Sequence, residues 1–256
     1  MNVEAEMSKS HPQGSVDRLN TFELFESGNG LGIPKIPKIP KTPKTSEVQK
    51  ETSLPDVLIP HKQSLNHQLS LEDEEFEVAV HFFLEDYRFE PVWSTPRKGA
   101  SYVRGVGAAL SPDFSLYRDW PLTLQVFNVY RNRWCGAYWS SLGVRVIPTV
   151  SWSDEDSYPF CFLGVEEGSA VAISSVGVDL DNAEERRLFT QGCTEMIERI
   201  QPAAVMLQAE SFPDELLRES GLDTVELRKY PPRWSNIRRA RRELREVREG
   251  KMENDE

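Results

Sequence analysis

From residue 76 onward the hydrophobic positions fall into two alternating kinds of run. Val78–Phe83, Gly105–Leu110, Val144–Thr149, Ala170–Ser175, Ala203–Leu207 and Thr224–Leu227 are short, nearly continuous apolar stretches of strand length. Continuous runs suit strands buried on both faces, as in a parallel sheet. Between several of them the period lengthens. From Pro121, the positions Leu124, Phe127, Arg131, Trp134 and Tyr138 recur at steps of three and four, and Gly143 suits the helix end. A second helical stripe, Phe189, Cys193, Met196, Ile197 and Ile200, follows Asn182, which suits a cap with Glu185 three residues on. Pro213 to Ser220 reads as a short helix, and Phe160 to Val165 is ambiguous between strand and helical turn.

Strands alternating with helices predict an α/β fold. The expected core is a mostly parallel sheet of about six strands with right-handed crossover helices. Doubly wound and partial (β/α) barrel arrangements both fit, and eight clean units are absent.

The ends of the chain read differently. Residues 1–70 are rich in Ser, Pro, Lys, Asn and Gln and are expected to be a disordered tail. Thr21-Phe22-Glu23-Leu24-Phe25 is a brief apolar exception able to dock on the body. A repeat follows: Ile33-Pro34-Lys35, Ile36-Pro37-Lys38, Ile39-Pro40-Lys41, Thr42-Pro43-Lys44. Proline at every third position favours polyproline II, with lysines along one edge and isoleucines along another. That rod is either a spacer or a ligand for a protein partner. Residues 71–232 make the α/β domain. Residues 233–256 are read as an arginine-rich helix with an acidic end, in which Arg239–Glu243, Arg242–Glu246 and Arg245–Glu249 can pair four apart.

Charge narrows the partners. The 256 residues carry a net charge of −11, and the stretch 71–232 concentrates the acidic surplus. An acidic body repels phosphate backbones over most of its surface, so nucleic-acid contact through the C-terminal arginines is possible but not favoured. Cys135, Cys161 and Cys193 are far apart, without metal-ligand spacing, and are expected as buried thiols. No apolar run approaches the ~20 residues of a membrane span. A cytoplasmic protein without membrane contact is the expectation.

In parallel sheets ligands bind beyond the carboxyl ends of the strands. Four such ends carry polar groups: Asp86 and Arg88; Asp113, Ser115 and Tyr117; Thr149, Ser151 and Trp152; Ser174, Ser175 and Gly177. The long helix adds Asn128, Arg131 and Asn132. Asp86 and Asp113 are candidate catalytic carboxylates, one protonated and one charged, or alternatively turn caps. Arg88, Ser115, Tyr117, Asn128, Arg131, Ser151, Trp152, Ser174, Ser175 and Gly177 are candidate ligand-binding residues. Arg131 and Arg133 can hold an anion or pair with the surplus acids. Ser174-Ser175-Val176-Gly177 before a helix can cradle a phosphate, though without the glycine spacing of known phosphate loops. His81 is expected as a satisfied core histidine. The expected ligand is a nucleotide or another small anion. No metal site and no particular cofactor are implied, and whether the domain catalyses a reaction stays open.

Several blocks carry a resemblance. Phe82-Phe83-Leu84-Glu85-Asp86-Tyr87-Arg88-Phe89, Ser111 to Tyr117, Tyr130 to Trp134, Val146 to Trp152 and Val171 to Gly177 are similar to blocks of a phage and bacterial family known as domain-of-unknown-function family 4417. The resemblance covers about residues 76–210. It implies a phage or mobile-element setting and brings no assigned catalytic residue.

Overall fold

The structure, a computed structural model, describes residues 18–38, 54–61, 76–232, 242–243 and 245–246. Among the described residues there are seven strands, helices lie between successive strands from β2 onward, and every strand pair is parallel. Strands β1 (Val57–Pro60), β2 (Val78–His81), β3 (Ala108–Leu110) and β4 (Arg145–Ile147) form one sheet in that order. Strands β5 (Ala170–Ser174), β6 (Ala204–Gln208) and β7 (Leu227–Tyr230) form a second.

The expected single sheet of about six strands is therefore divided in two. Pro148, just past β4, explains the break, because proline has no N–H to donate to a ladder. What remains is one parallel bridge, Thr149 to Ala172, closed by Val150 N–H to Ala172 O and Ala172 N–H to Pro148 O, both 2.9 Å. Neither sheet reverses its strand order, so the doubly wound alternative is not seen. On the far side, β7 reaches the lead-in to β1 through side chains: Tyr230 Oη donates to Pro55 O at 2.6 Å and Arg228 to Leu54 O at 2.8 Å.

Side-chain alternation sets the two cores. Ala172, Ala204, Met206 and Tyr230 pack with β1 to β3, whereas Val171, Ile173, Val205 and Leu207 pack in a second core with α5 (Ala183–Ile200). At the carboxyl rim the sheets touch: His81 Nε2 lies 3.2 Å from Gln208 Nε2, and His81 Nδ1 accepts from Phe83 N–H. Burial holds this histidine neutral, its pKa lowered to about 3.

The remaining helices are α1 (Pro91–Ser94), α2 (Pro96–Val106), α3 (Leu122–Ser141), α4 (Tyr158–Cys161) and α6 (Asp214–Glu219). The long helix α3 forms where its periodicity predicts. Besides strand ends trimmed or shifted by one or two residues, three assignments differ from expectation. Helix α2 takes Gly105 and Val106, leaving β3 only three residues, because Gly107 at φ +88° ends the helix there. The last strand lies three residues later than its apolar run. The ambiguous stretch at 160–165 is a helical turn ending in an isolated bridge, Ile36 to Val165.

The expected 1–70 tail is corrected in two places. Val57–Pro60 is a full partner of β2. Residues 18–38 form a strap across α3, where Trp134 Nε1 donates to Glu23 O at 2.9 Å and Phe22 packs edge-on at 5.6 Å. Ile33 and Ile36 are fully buried, and Ile36 sits over Gly136, where no larger residue leaves it room. The isoleucines of the first two repeat units are thus core rather than the free edge of a rod. The later units lie outside the described residues, as does most of the expected C-terminal helix. Residues 242–243 and 245–246 are helical.

Candidate functional site

Parallel pairing puts the ends of β3, β4 and β5 on one rim. Between the segments that follow them lies a cleft of about 440 Å³. Asp113, Ser115 and Tyr117 line it from the β3 side, Ser151 and Trp152 from β4, and Ser174 and Gly177 from β5. Leu116, Val150, Ile173, Leu188 and Phe189 supply apolar walls.

Asp86, Arg88, Asn128, Arg131 and Ser175 do not line this cleft. Four of them hold structure around it. Asp86 accepts from Ser115 N–H at 3.2 Å and from Ser115 Oγ–H at 2.8 Å. Asn128 donates to Ser115 O at 2.6 Å, and Arg131 donates to Asn128 Oδ1. Arg131 also pairs with Glu90 at 2.9 Å and lies 3.8 Å above the Phe114 ring. This chain fixes the loop that carries Asp113. Ser175 N–H donates to Gln208 O. Arg88 is exposed and pairs with its neighbour Glu85.

The two candidate carboxylates therefore differ. Asp86 is engaged by Ser115. Asp113 keeps Oδ1 buried with no hydrogen-bond partner among the described residues. Burial pushes the Asp113 carboxyl up to about 7, and the nearby Asp86 adds to that, while a Ser151 hydrogen bond and the Arg133 charge oppose it. A carboxyl that exchanges its proton near neutrality suits acid–base work.

Arg133, on α3 beneath the cleft, is 1% exposed. It donates to Leu163 O, Thr149 O, Cys161 O and Asn132 Oδ1, all uncharged acceptors. Burial lowers its pKa to about 10, so it stays a cation at neutral pH. A void of about 10 Å³, lined by Arg133, Asn132, Thr149, Leu116 and Ser151 among others, lies next to it. Leu116 and Ser151 line the cleft as well. Sequence reasoning offered both Arg131 and Arg133 as anion holders but placed only Arg131 among the ligand-binding candidates. Nothing in residue type or spacing distinguishes the paired arginine from the buried one.

Trp152 forms a wall rather than a free stacking face. Its indole N–H donates to Leu188 O at 3.1 Å, and the ring lies against Gly192 of α5, leaving no room for a Cβ. The expected phosphate cradle after β5 is already furnished. Asn182 caps α5 by accepting from Glu184 N–H and Glu185 N–H, and both glutamates face the positive helix end. Gly177 turns at φ +89° and faces open space. Two charged cleft residues were not singled out from sequence as ligand contacts. Arg118 meets Glu184 at 3.8 Å, and Glu185 accepts from Asp179 N–H at 2.7 Å. The exposed neighbour of Tyr117 and the expected capping glutamate were the signals available for them.

Among the described residues no group of three His, Cys, Asp or Glu side chains is placed to hold a metal, and no helix is long and apolar enough to cross a membrane. All three cysteines are buried and unbridged.

Comparison with known proteins points to phages. The Gene 1 protein of Mycobacterium phage L5 is 45% identical over 161 residues, 63% of this chain and 68% of that protein. The Gene 1 protein of Mycobacterium phage D29 is also 45% identical over 161 residues, 63% of this chain and 57% of its own length. No solved structure matches the chain. The profile of one protein family matches residues 36–230, which includes all seven strands and the cleft. The chain belongs to that family, described as Domain of unknown function (DUF4417).

Proposed function

We propose that this phage-type protein is a small-molecule-binding α/β domain whose site is the cleft beyond β3, β4 and β5. We read the sequential strand order and the β7-to-β1 side-chain bonds as a partial (β/α) barrel. The single observation that carries the functional reading is that Asp113, unsatisfied on one oxygen, lines a cleft behind which Arg133 is buried with no ion-pair partner among the described residues. An uncompensated buried cation costs several kcal/mol and is rarely retained for stability alone. The ligand class that fits is a small anion, with a nucleotide as its larger member. The cleft volume falls in the range of small-molecule pockets. Its apolar walls suit a ring, and Ser151, Ser174 and Arg118 suit oxygens. Asp113 is the group available for proton transfer if the domain catalyses a reaction.

Thermal unfolding against a panel of nucleoside monophosphates and small carboxylates tests this. A ligand at one hundred times its Kd adds about 2.7 kcal/mol, a rise of roughly 5–10 °C for a body of this size. Ser151→Ala and Ser174→Ala together should remove most of that rise. Stabilisation by no member of the panel counts against the reading.

The alternative, a non-catalytic interaction protein working through its tails, draws less support. Ile33 and Ile36, which a partner for the Ile-Pro-Lys segment would grip, are buried against the body.

A further inference from the structure

We infer that anion binding in this cleft is coupled to proton uptake by Asp113, the ligand's negative group replacing the Asp113 carboxylate as counter-charge to buried Arg133. This rests on the small-anion reading above and adds a regulation to it. The four hydrogen bonds Arg133 donates all end on uncharged oxygens, and no carboxylate lies within ion-pair distance among the described residues. Besides the Cys161 thiol, which burial keeps protonated, the acid whose field reaches Arg133 is the Asp113 carboxyl, and each perturbs the other. Ser151 and Leu116 line both the cleft and the void beside Arg133, so little more than their side chains separates the guanidinium from a bound ligand. Inside a protein such a charge is poorly screened.

The remaining charges around Asp113 favour the exchange. Asp86, from the turn after β2, stands behind it and disfavours a second negative charge. Glu185 on α5 lines the same cleft. Arg118, on the loop of Asp113 itself, faces Glu184. An anion entering beside ionised Asp113 adds a like charge at close range, which drives the carboxyl to its neutral form. The balance is one proton taken from solvent for each anion bound above neutrality. No ligand bond is made or broken.

The test uses the full chain and inorganic sulfate, which stays dianionic between pH 6 and 8.5. Isothermal titration in two buffers of different ionisation enthalpy reads protons taken up, and amide NMR shifts at Ser151 and Gly177 locate the anion. The expected result is about a tenfold loss of affinity per pH unit above 7, with uptake approaching one proton at pH 8. Asp113→Asn should bind sulfate equally at pH 6 and 8 with no uptake. Wild-type uptake alone suffices if that variant fails to fold. Sulfate that shifts these amides without pH dependence or uptake overturns the coupling and leaves the anion site standing. Sulfate that shifts neither amide at any pH overturns both.

Discussion

Asp86 and Asp113 stand just past the ends of neighbouring parallel strands, and their surroundings treat them in opposite ways. Around Asp86 the chain has built a saturated corner. Ser115 donates twice to the carboxylate, Asn128 holds the Ser115 carbonyl, and Arg131 is shared between Asn128, Glu90 and the Phe114 ring. Around Asp113 the same loop leaves one oxygen without a partner, and the arginine below it spends its donors on carbonyls. Polar groups that satisfy one another stabilise a fold; polar groups left short of partners mark where a ligand is expected. The difference separates the scaffold from the site within a few residues of chain.

The largest break in this comparison should come from the arginines. Arg133→Met takes the Arg133 donor from Leu163 O, Cys161 O and Thr149 O, of which Thr149 O keeps Asn132, and should cost about 2–5 kcal/mol in urea unfolding at about 1–3 kcal/mol per buried carbonyl left short. Arg131→Met loses a pair with half-exposed Glu90, its bonds to Asn128 Oδ1 and a ring contact, and should cost less, about 1–2 kcal/mol. Equal losses would mean that both arginines are scaffold.

The carboxylates follow. An unfolded aspartate releases its proton near 3.8, whereas Asp113 in the folded chain holds it to about 7. The folded state binds the extra proton between those values, so this group's contribution to stability falls as pH rises through that window and is flat above it. Asp113→Asn should leave stability unchanged at pH 3.5 and raise it by about 2–4 kcal/mol at pH 8. Asp86→Ala should act the other way, losing about 1.5–3 kcal/mol with its two charge-assisted bonds. A stabilising Asp86→Ala would erase the distinction between the two corners.

Much of this was readable from sequence, and the exceptions have physical causes. Helix α3 is legible because twenty residues of one period outweigh any local ambiguity. The parallel strand order follows from continuous apolar runs separated by helices. Strand β1 was hidden because Val57-Leu58-Ile59-Pro60 is short and sits in polar surroundings; only β2 reveals it. Ile33 and Ile36 looked like one edge of a free rod because what receives them, Gly136 for Ile36 and the second core for Ile33, lies about a hundred residues away. The cleft residues from Asp113, Ser151 and Ser174 were foreseeable as strand ends on a common rim. The roles of Asp86, Asn128 and Arg131 were not, since residue type says nothing about whether a side chain turns toward a loop or a cavity. Arg133 is the clearest case. It lies two positions from Arg131 on one helix, and only Glu90 and Phe114, brought in by two other segments, decide which arginine is paired.

The contrast between the two corners rests on Asp113, and its carboxyl carbon can be followed by NMR in the ligand-free chain from pH 4 to 9. A midpoint near 7 agrees with a buried carboxyl short of partners. A midpoint near 4, the ordinary value for an aspartate in water, contradicts the account.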